Sequence, residues 1–434
     1  MERYEKYKDS GIEWIGEIPE DWVERRLKYL FRWEKGSNAA SYTNEYVNSN
    51  KGDFPVYSGQ TENKGILGFI STYDYDFDEE VLLATTVGAK AMNIKKVIGK
   101  FSLSQNCALI IPKDNKSSTL YFFYYLQRLF AYEKSMISLI MQPSLRFEDL
   151  NQYTAYCLPI KTQTAIANYL DRKTAEIDKL IAQKERLIEL YEEEKSAIIN
   201  QTVTRGIDPD VRLKDSGIEW LGEIPEGWEV RRLRYVGNCQ NGVSKGADYF
   251  GSGFPFLSYS DVYKNLVLPQ NVEGLAESTE IDQANYSVIK GDIFFTRTSE
   301  TIEEIGIAST CLVTINNAIF SGFLIRFRPF SGILFEGFSK YYFRSQLHRL
   351  FFVKEMNLVT RASLSQELLK RLPVFLPPIH EQKMIAIYLD QETSTINAKI
   401  AKTKKIITLQ KEYRTALISE VVTGKVKVPE DTIS

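Results

Sequence analysis

The sequence predicts a mixed α/β fold of the α+β kind: two globular domains separated by an antiparallel coiled coil of two long helices, in a pseudo-two-fold internal repeat. Three observations predict it. Residues 8–30 (KDSGIEWIGEIPEDWVERRLKYL) recur as residues 214–236 (KDSGIEWLGEIPEGWEVRRLRYV), identical at 17 of 23 positions with a constant offset of 206. Residues 159–204, opening PIKTQTAIANYLD, recur at an offset of 219 as residues 378–423, opening PIHEQKMIAIYLD. The segments between these repeats do not match each other, so two similar frames carry two different inserts. Repetition on this scale makes each copy a structural unit.

Each SGIEW(I/L)GEIPE segment is rich in turn residues and runs into a short basic-apolar stretch, Arg25-Arg26-Leu27 and Arg231-Arg232-Leu233. This reads as an ordered loop entering a first strand. Trp14, Trp22, Trp220 and Trp228 read as packing anchors, because a large aromatic buries much apolar area. Within the inserts, Glu80–Thr85, Cys107–Ile111, Asp292–Thr296 and Phe323–Phe327 are short apolar runs bounded by turn signals, and read as buried strands. Leu120–Tyr132 and Gly337–Phe352 read as helices with aromatic core faces in equivalent places. The inserts therefore share one architecture despite unlike sequences.

Residues 163–204 contain neither glycine nor proline. Ile177, Lys184, Tyr191 and Ile198 alternate with Ile181, Ile188, Lys195 and Thr202 at coiled-coil spacing. The second copy keeps the phase with Ile396, Thr403, Gln410 and Leu417 against Ile400, Ile407, Arg414 and Val421. About 40 residues at ~1.5 Å each make rods of ~60 Å, too long for the core of one domain. They are expected to pair antiparallel and hold the domains at opposite ends, with the polar seam residues fixing register. Thr204-Arg205-Gly206-Ile207-Asp208-Pro209 and Thr423-Gly424-Lys425 are stop signals. The expected boundaries are 1–158 for the first repeat and insert, 159–206 for the first long helix, 207–377 for the second repeat and insert, and 378–434 for the second helix and tail.

Composition narrows the function. A chain of 434 residues, 44% hydrophobic and 25% charged, is globular. No apolar run approaches the ~20 residues of a membrane span, and the N-terminus, MERYEKYKDS, has no apolar signal core. A cytoplasmic location without membrane contact is expected. Cys107, Cys157, Cys239 and Cys311 show no CxxC spacing and read as small buried thiols. His348 and His380 are the only histidines, which excludes a histidine-based triad or a multi-histidine metal site. His348 reads as a surface helix residue, and His380 as structural. The chain has no GxxxxGK(S/T) loop, no GxGxxG after a strand and no (N/D)PP(Y/F) motif; its only Pro-Pro is Pro377-Pro378. Glu192-Glu193-Glu194-Lys195 reads as a solvated helix face. No catalytic residue, metal ligand or bound cofactor is therefore expected. Net charge is -2, and residues 22–160 and 228–378 each hold 16 Lys+Arg against 14 Asp+Glu. Any DNA contact must come from a local basic face.

Four features together resemble one family: the KDSGIEW(I/L)GEIPE-x-W segment, the Leu-Pro…Gln-x-x-Ile-Ala-x-Tyr-Leu-Asp helix start, the terminal Val-Thr-(Arg/Gly) stop, and their tandem duplication. The chain resembles the specificity subunit of type I restriction–modification enzymes. Both inserts sit where that family carries its target-recognition domains. One departure is local: the first helix start reads Leu158-Pro159-Ile160-Lys161-Thr162-Gln163, whereas the second reads Leu376-Pro377-Pro378-Ile379-His380-Glu381-Gln382.

The resemblance implies a subunit that recognises double-stranded DNA and leaves catalysis to its partners. Each recognition domain would read one half of an asymmetric, bipartite site, and the paired helices would set the unread spacer. Two modification subunits binding S-adenosylmethionine would methylate adenine N6. Restriction–motor subunits using ATP and Mg would complete the complex. Base-reading candidates are polar side chains at loops between strands, since Arg can bridge guanine and Asn or Gln adenine. In the first insert these are Tyr57, Ser58, Gln60, Thr61, Lys90, Ser104, Gln105, Asn106 and Gln142. In the second they are Ser258, Ser260, Arg297, Thr298, Ser299 and Arg361, with Tyr259 between the serines. The competing reading is a coiled-coil scaffold whose two heads bind proteins, motivated by the weak basic charge.

Overall fold

The duplicated segments fold alike, residue for residue. In the computed structural model, which describes residues 2–59, 63–138, 141–218, 222–299, 304–355 and 362–428, Tyr7–Asp9 pairs antiparallel with Glu17–Pro19. Leu213–Asp215 pairs with Glu223–Pro225 in the same register, 206 residues later. The Asp-Ser-Gly signature has a local cause. The Asp9 carboxylate accepts the Gly11 N–H at 2.9 Å, and Asp215 accepts that of Gly217 at 2.9 Å. Both glycines take positive φ, +69° and +73°, a conformation that costs a side-chain-bearing residue more. Lys8 Nζ donates to the Glu20 carbonyl, and Lys214 Nζ to that of Glu226. Trp22 and Trp228 are buried, and Trp14 lies between Tyr125 and Tyr132; Trp220 lies outside the described residues.

The chain divides into two compact units, Met1–Lys184 with Lys405–Ser434, and Glu185–Lys404. The division falls inside both long helices, Ile160–Arg205 and Ile379–Val422. In the first unit, Arg414 Nε lies 2.9 Å from Asp178 Oδ1. In the second, Lys195 Nζ donates to Asn397 Oδ1 at 3.2 Å, and Lys399 Nζ sits 5.6 Å from the Tyr191 ring centroid. Those two contacts run in opposite chain directions, so the helices are antiparallel there. None of the sixteen seam positions is exposed. The polar seam residues Lys195 and Arg414 are the ones that reach across. Lys427 N–H donates to the Glu2 carbonyl at 2.9 Å, which joins the two extremities of the described chain within the first unit.

Each insert is a sheet with helices. The first sheet orders its strands Phe31–Glu34, Cys107–Pro112, Tyr75–Thr85, Ile94–Leu103, Lys51–Tyr57, Ile66–Ile70. All neighbours are antiparallel except Lys51–Tyr57 with Ile94–Leu103, which is parallel. The second insert repeats this order in two pieces. One piece is Gly237–Asn241, Leu324–Pro329, Ile293–Thr296, Ala308–Thr310; the other is Leu275–Ala276, Phe250–Leu257, Ile319–Phe320, again with one parallel pair. The strand that is continuous at Ile94–Leu103 is here interrupted by residues 311–318, which splits the sheet.

Helix Thr119–Ser135 buries Tyr121, Phe122, Tyr125, Leu126 and Phe130. Its counterpart is two helices, Glu336–Tyr342 and Leu347–Glu355, rather than the single one expected. Ser345 Oγ donates back to the Tyr342 carbonyl, and Asn200 Oδ1 accepts the Gln346 N–H at 3.0 Å. These bonds satisfy the backbone at the break. His348 is 2% exposed, against the surface position expected of it. It packs on Tyr342 and Phe343, and burial pushes its pKa down to about 3. No described helix is long and apolar enough to cross a membrane.

Candidate nucleic-acid interface

The parallel strand pair of each insert ends in a cluster of loops. In the first, Tyr57 lies opposite Leu103. Beyond them Ser104 N–H donates to the Tyr57 carbonyl at 2.8 Å. The turn Ser104-Gln105-Asn106 then reaches strand Tyr75–Thr85, where Thr86 N–H donates to the Asn106 carbonyl at 2.8 Å. The Thr86 carbonyl in turn accepts the Leu145 N–H at 2.8 Å, which brings residues 142–145 alongside. These loops enclose a cleft of about 580 Å³ lined by Tyr42, Thr43, Asn44, Ser58, Gly59, Val87, Gly88, Ser104, Gln105 and Asn106, among others. A Cβ on Gly59 would stand 2.9 Å from Thr85 Cγ2 and 3.3 Å from Asn106 Cβ. Close approach, rather than a turn with positive φ, calls for glycine here.

Four of the first insert's candidates, Ser58, Ser104, Gln105 and Asn106, therefore share one cleft. Gln142 lines a neighbouring one of about 520 Å³ with Met92, Glu133, Arg146 and Tyr153. Lys90 is exposed on the turn between Thr85 and Ile94, its carbonyl accepting the Asn93 N–H. The Tyr57 ring packs on Phe101, and Lys95 Nζ sits 3.9 Å from its centroid. Burial lowers the Lys95 pKa. Gln60 and Thr61 lie outside the described residues.

The second insert repeats the backbone pattern. Leu257 lies opposite Phe320, and Ser321 N–H donates to the Leu257 carbonyl at 3.0 Å. Arg297 N–H donates to the Phe323 carbonyl at 2.9 Å, and the Arg297 carbonyl accepts the Leu364 N–H at 2.7 Å. Thr298–Ser299 pairs with Ala362–Ser363. Ser258 caps helix Tyr259–Lys264 through Asp261, an N-terminal box that satisfies otherwise orphaned donors. Ser260 is exposed. Arg297 Nη1 donates to the Gly322 carbonyl at 3.3 Å, while its Nε is buried without a partner. Arg361 lies outside the described residues.

Sequence reasoning missed Thr43, Asn44 and residues 86–88 in the first cluster, and Ser321–Phe323 in the second. Phe323 was read as a strand residue, but the strand begins at Leu324 and Phe323 is 62% exposed. Residues 86–88 and Ser321–Phe323 adjoin core strands, where an apolar run conceals the turn, whereas Thr43 caps the short helix that Asn44 opens. Hydroxyls, carboxamides and a guanidinium gathered on loops can recognise hydrogen-bonding ligands. Among the described residues, no group of three His, Cys, Asp or Glu side chains could hold a metal.

A duplicated α/β frame thus presents two unlike loop clusters, one in each insert. Residues 19–190 and 225–408 match the family described as the type I restriction modification DNA specificity domain, and the chain belongs to that family. It is 23% identical to the type I restriction enzyme MjaVIII specificity subunit of Methanocaldococcus jannaschii, over 95% of this chain and 94% of that protein. Other curated relatives align over less of their length: 64% of a further protein of that organism, and 37% of the MpnII specificity subunit of Mycoplasma pneumoniae. The fold is similar to a chain in a type I R-M system structure concerned with complex assembly and conformational transition (TM-score 0.70, 15% identity, 94% of this chain and 99% of that one). It is also similar to the crystal structure of the HsdS subunit from Thermoanaerobacter tengcongensis (TM-score 0.55, 14% identity, 96% and 100%).

Proposed function

We propose that this chain is the DNA-specificity subunit of a type I restriction–modification complex, reading an asymmetric bipartite site with one loop cluster per half-site. The recognition domains belong to residues 1–158 and 207–377, and the long helices, within 159–206 and 378–434, act as an antiparallel coiled coil that sets the unread spacer. The observation that carries this reading is the matched loop clusters on unmatched sequences. A shared backbone scaffold with different side chains suits two readers of different sequences. Phosphate contacts position such a protein and base-edge contacts specify its site. Two clusters on a repeated frame would meet half-sites roughly one helical turn, ~10 bp, apart.

The chain itself does no chemistry in this reading. Two modification subunits hold S-adenosylmethionine and methylate adenine; motor–nuclease subunits use ATP and Mg. The complex works in the cytoplasm. Adenine-methylation mapping in cells carrying the chain and its partners tests all of this at once. The expected result is one asymmetric sequence with a fixed gap. A scaffold with two protein-binding heads would leave methylation without any sequence dependence on this chain, and that outcome would sink the proposal.

A further inference from the structure

We propose that the two halves choose different bases through one shared backbone position, filled by Asn106 in the first unit and Phe323 in the second, and that Arg297 adds a second reader in the second unit only. This rests on the DNA-reading function above. Hydrogen bonds, not sequence, match the positions. Ser104 and Ser321 each donate N–H to the carbonyl that ends the adjacent parallel strand. Two residues later, the Asn106 and Phe323 carbonyls accept from Thr86 and Arg297, whose own carbonyls accept from Leu145 and Leu364. Asn106 therefore corresponds to Phe323, and Thr86 to Arg297.

The side chains at these matched places differ in kind. Asn106 is exposed and lines the first cleft. Its carboxamide offers a donor and an acceptor, the pattern that adenine N6 and N7 complement. Phe323 presents a bare ring, 62% exposed, at the same place. An apolar ring suits the thymine methyl, the one apolar group on the major-groove edge. Thr86 is 1% exposed and cannot reach a ligand. Arg297 is half-buried, with Nη1 on the Gly322 carbonyl and Nε unpartnered. Nε is buried, so the fork left to bridge guanine O6 and N7 is that of the Nη1 and Nη2 N–H groups that Gly322 does not engage. The first half-site then holds an adenine under Asn106, and the second a thymine beside a guanine.

The test uses the full chain assembled with its modification subunits and a pool of double-stranded DNA randomised across both half-sites. Bound fragments are sequenced for wild type, Asn106→Ala, Phe323→Ala, Arg297→Ala and Arg297→Lys. Asn106 and Phe323 are exposed, so their truncation leaves the fold intact, and thermal melting verifies this for every variant. Asn106→Ala should relax an adenine preference about tenfold at one base pair of one half-site and leave the other half-site unchanged. Phe323→Ala and Arg297→Ala should relax thymine and guanine at neighbouring base pairs of the other half-site. Arg297→Lys keeps the charge but loses the fork, so guanine selection should fall while overall affinity holds. Unchanged preferences in all variants, beside a bipartite wild-type site, would overturn this assignment and leave the DNA-reading function standing. If wild type selects no sequence, that function fails and the assignment falls with it.

Discussion

Asp292 is fully buried and accepts two hydrogen bonds from Arg328, at Nε (2.6 Å) and Nη2 (2.7 Å). Arg326 lies beside this pair, its pKa pushed down to about 10 by burial and by Arg328, and donates to Ser287 and Gln240. Asp292→Ala should therefore destabilise the second unit by roughly 2–3 kcal/mol, since Arg328, itself 32% exposed, loses two charge-assisted hydrogen bonds and Arg326 loses a compensating charge nearby. Urea denaturation would show it as a shifted midpoint without a change in slope. His348 gives a pH prediction. Its folded-state pKa of about 3 lies below the ordinary 6.5, so the unfolded chain binds the proton more readily between those values. Stability is then fully present above pH 6.5 and falls as pH drops toward 3, by at most about 1.4 kcal/mol per pH unit. His348→Phe should flatten this slope between pH 6.5 and 5 in melting experiments. Neither role was legible in the sequence. His348 stands among Arg, Gln and Leu, and only the broken helix turns it inward.

Gln163 and Gln382 open the two long helices and are nearly fully buried, at 2% and 1% exposure. Gln163 Nε2 donates to the Leu158 and Lys116 carbonyls, and Oε1 accepts the Ser118 N–H. Gln382 does the same with Pro377, Ile333 and Phe335. Each glutamine ties a helix start to the loop that precedes the aromatic helix. Replacement by Met keeps the volume but leaves three backbone groups unpaired, so either variant should cost its own unit about 3 kcal/mol or more. Thermal melting of Gln163→Met and Gln382→Met would measure this. The repeated Leu-Pro…Gln motif was legible as a helix start; its cause, a buried three-way bond, was not. Tyr124 with Asp171 and Thr174, and Tyr341 with Asp390 and Thr393, repeat a second such tie. The helical rods themselves were legible from heptad spacing. Inserting four residues between Lys179 and Glu194 adds ~6 Å of helix at ~1.5 Å per residue. The accepted spacer should then lengthen in methylation mapping; unchanged spacing would defeat the ruler.

Across the whole chain, repetition carried the reading furthest. Offsets of 206 and 219 located the frames and the helix starts without reference to any coordinate. The inserts were legible as core strands and aromatic-faced helices, because burial constrains those residues to apolar types while the loops between them are free to vary. Ser58, Ser104, Gln105 and Asn106 met in one cleft because each follows a strand that ends at the same edge of the sheet. Phe323 escaped notice because its aromatic ring joins the apolar run of the strand it precedes.

The bond between Lys427 and Glu2 holds two segments far apart in sequence side by side within the first unit. In the first unit, residues at the two extremities occupy the place that the ordinary connection 206–212 occupies in the second: Gly424 packs against Pro19 and Trp22, as Gly206 packs against Trp228. New ends opened between Arg205 and Arg212, with a short linker from residue 428 to residue 2, should yield a circular permutant that melts within a few degrees of the parent. Adjacency in space, rather than order along the chain, would then be what this frame requires.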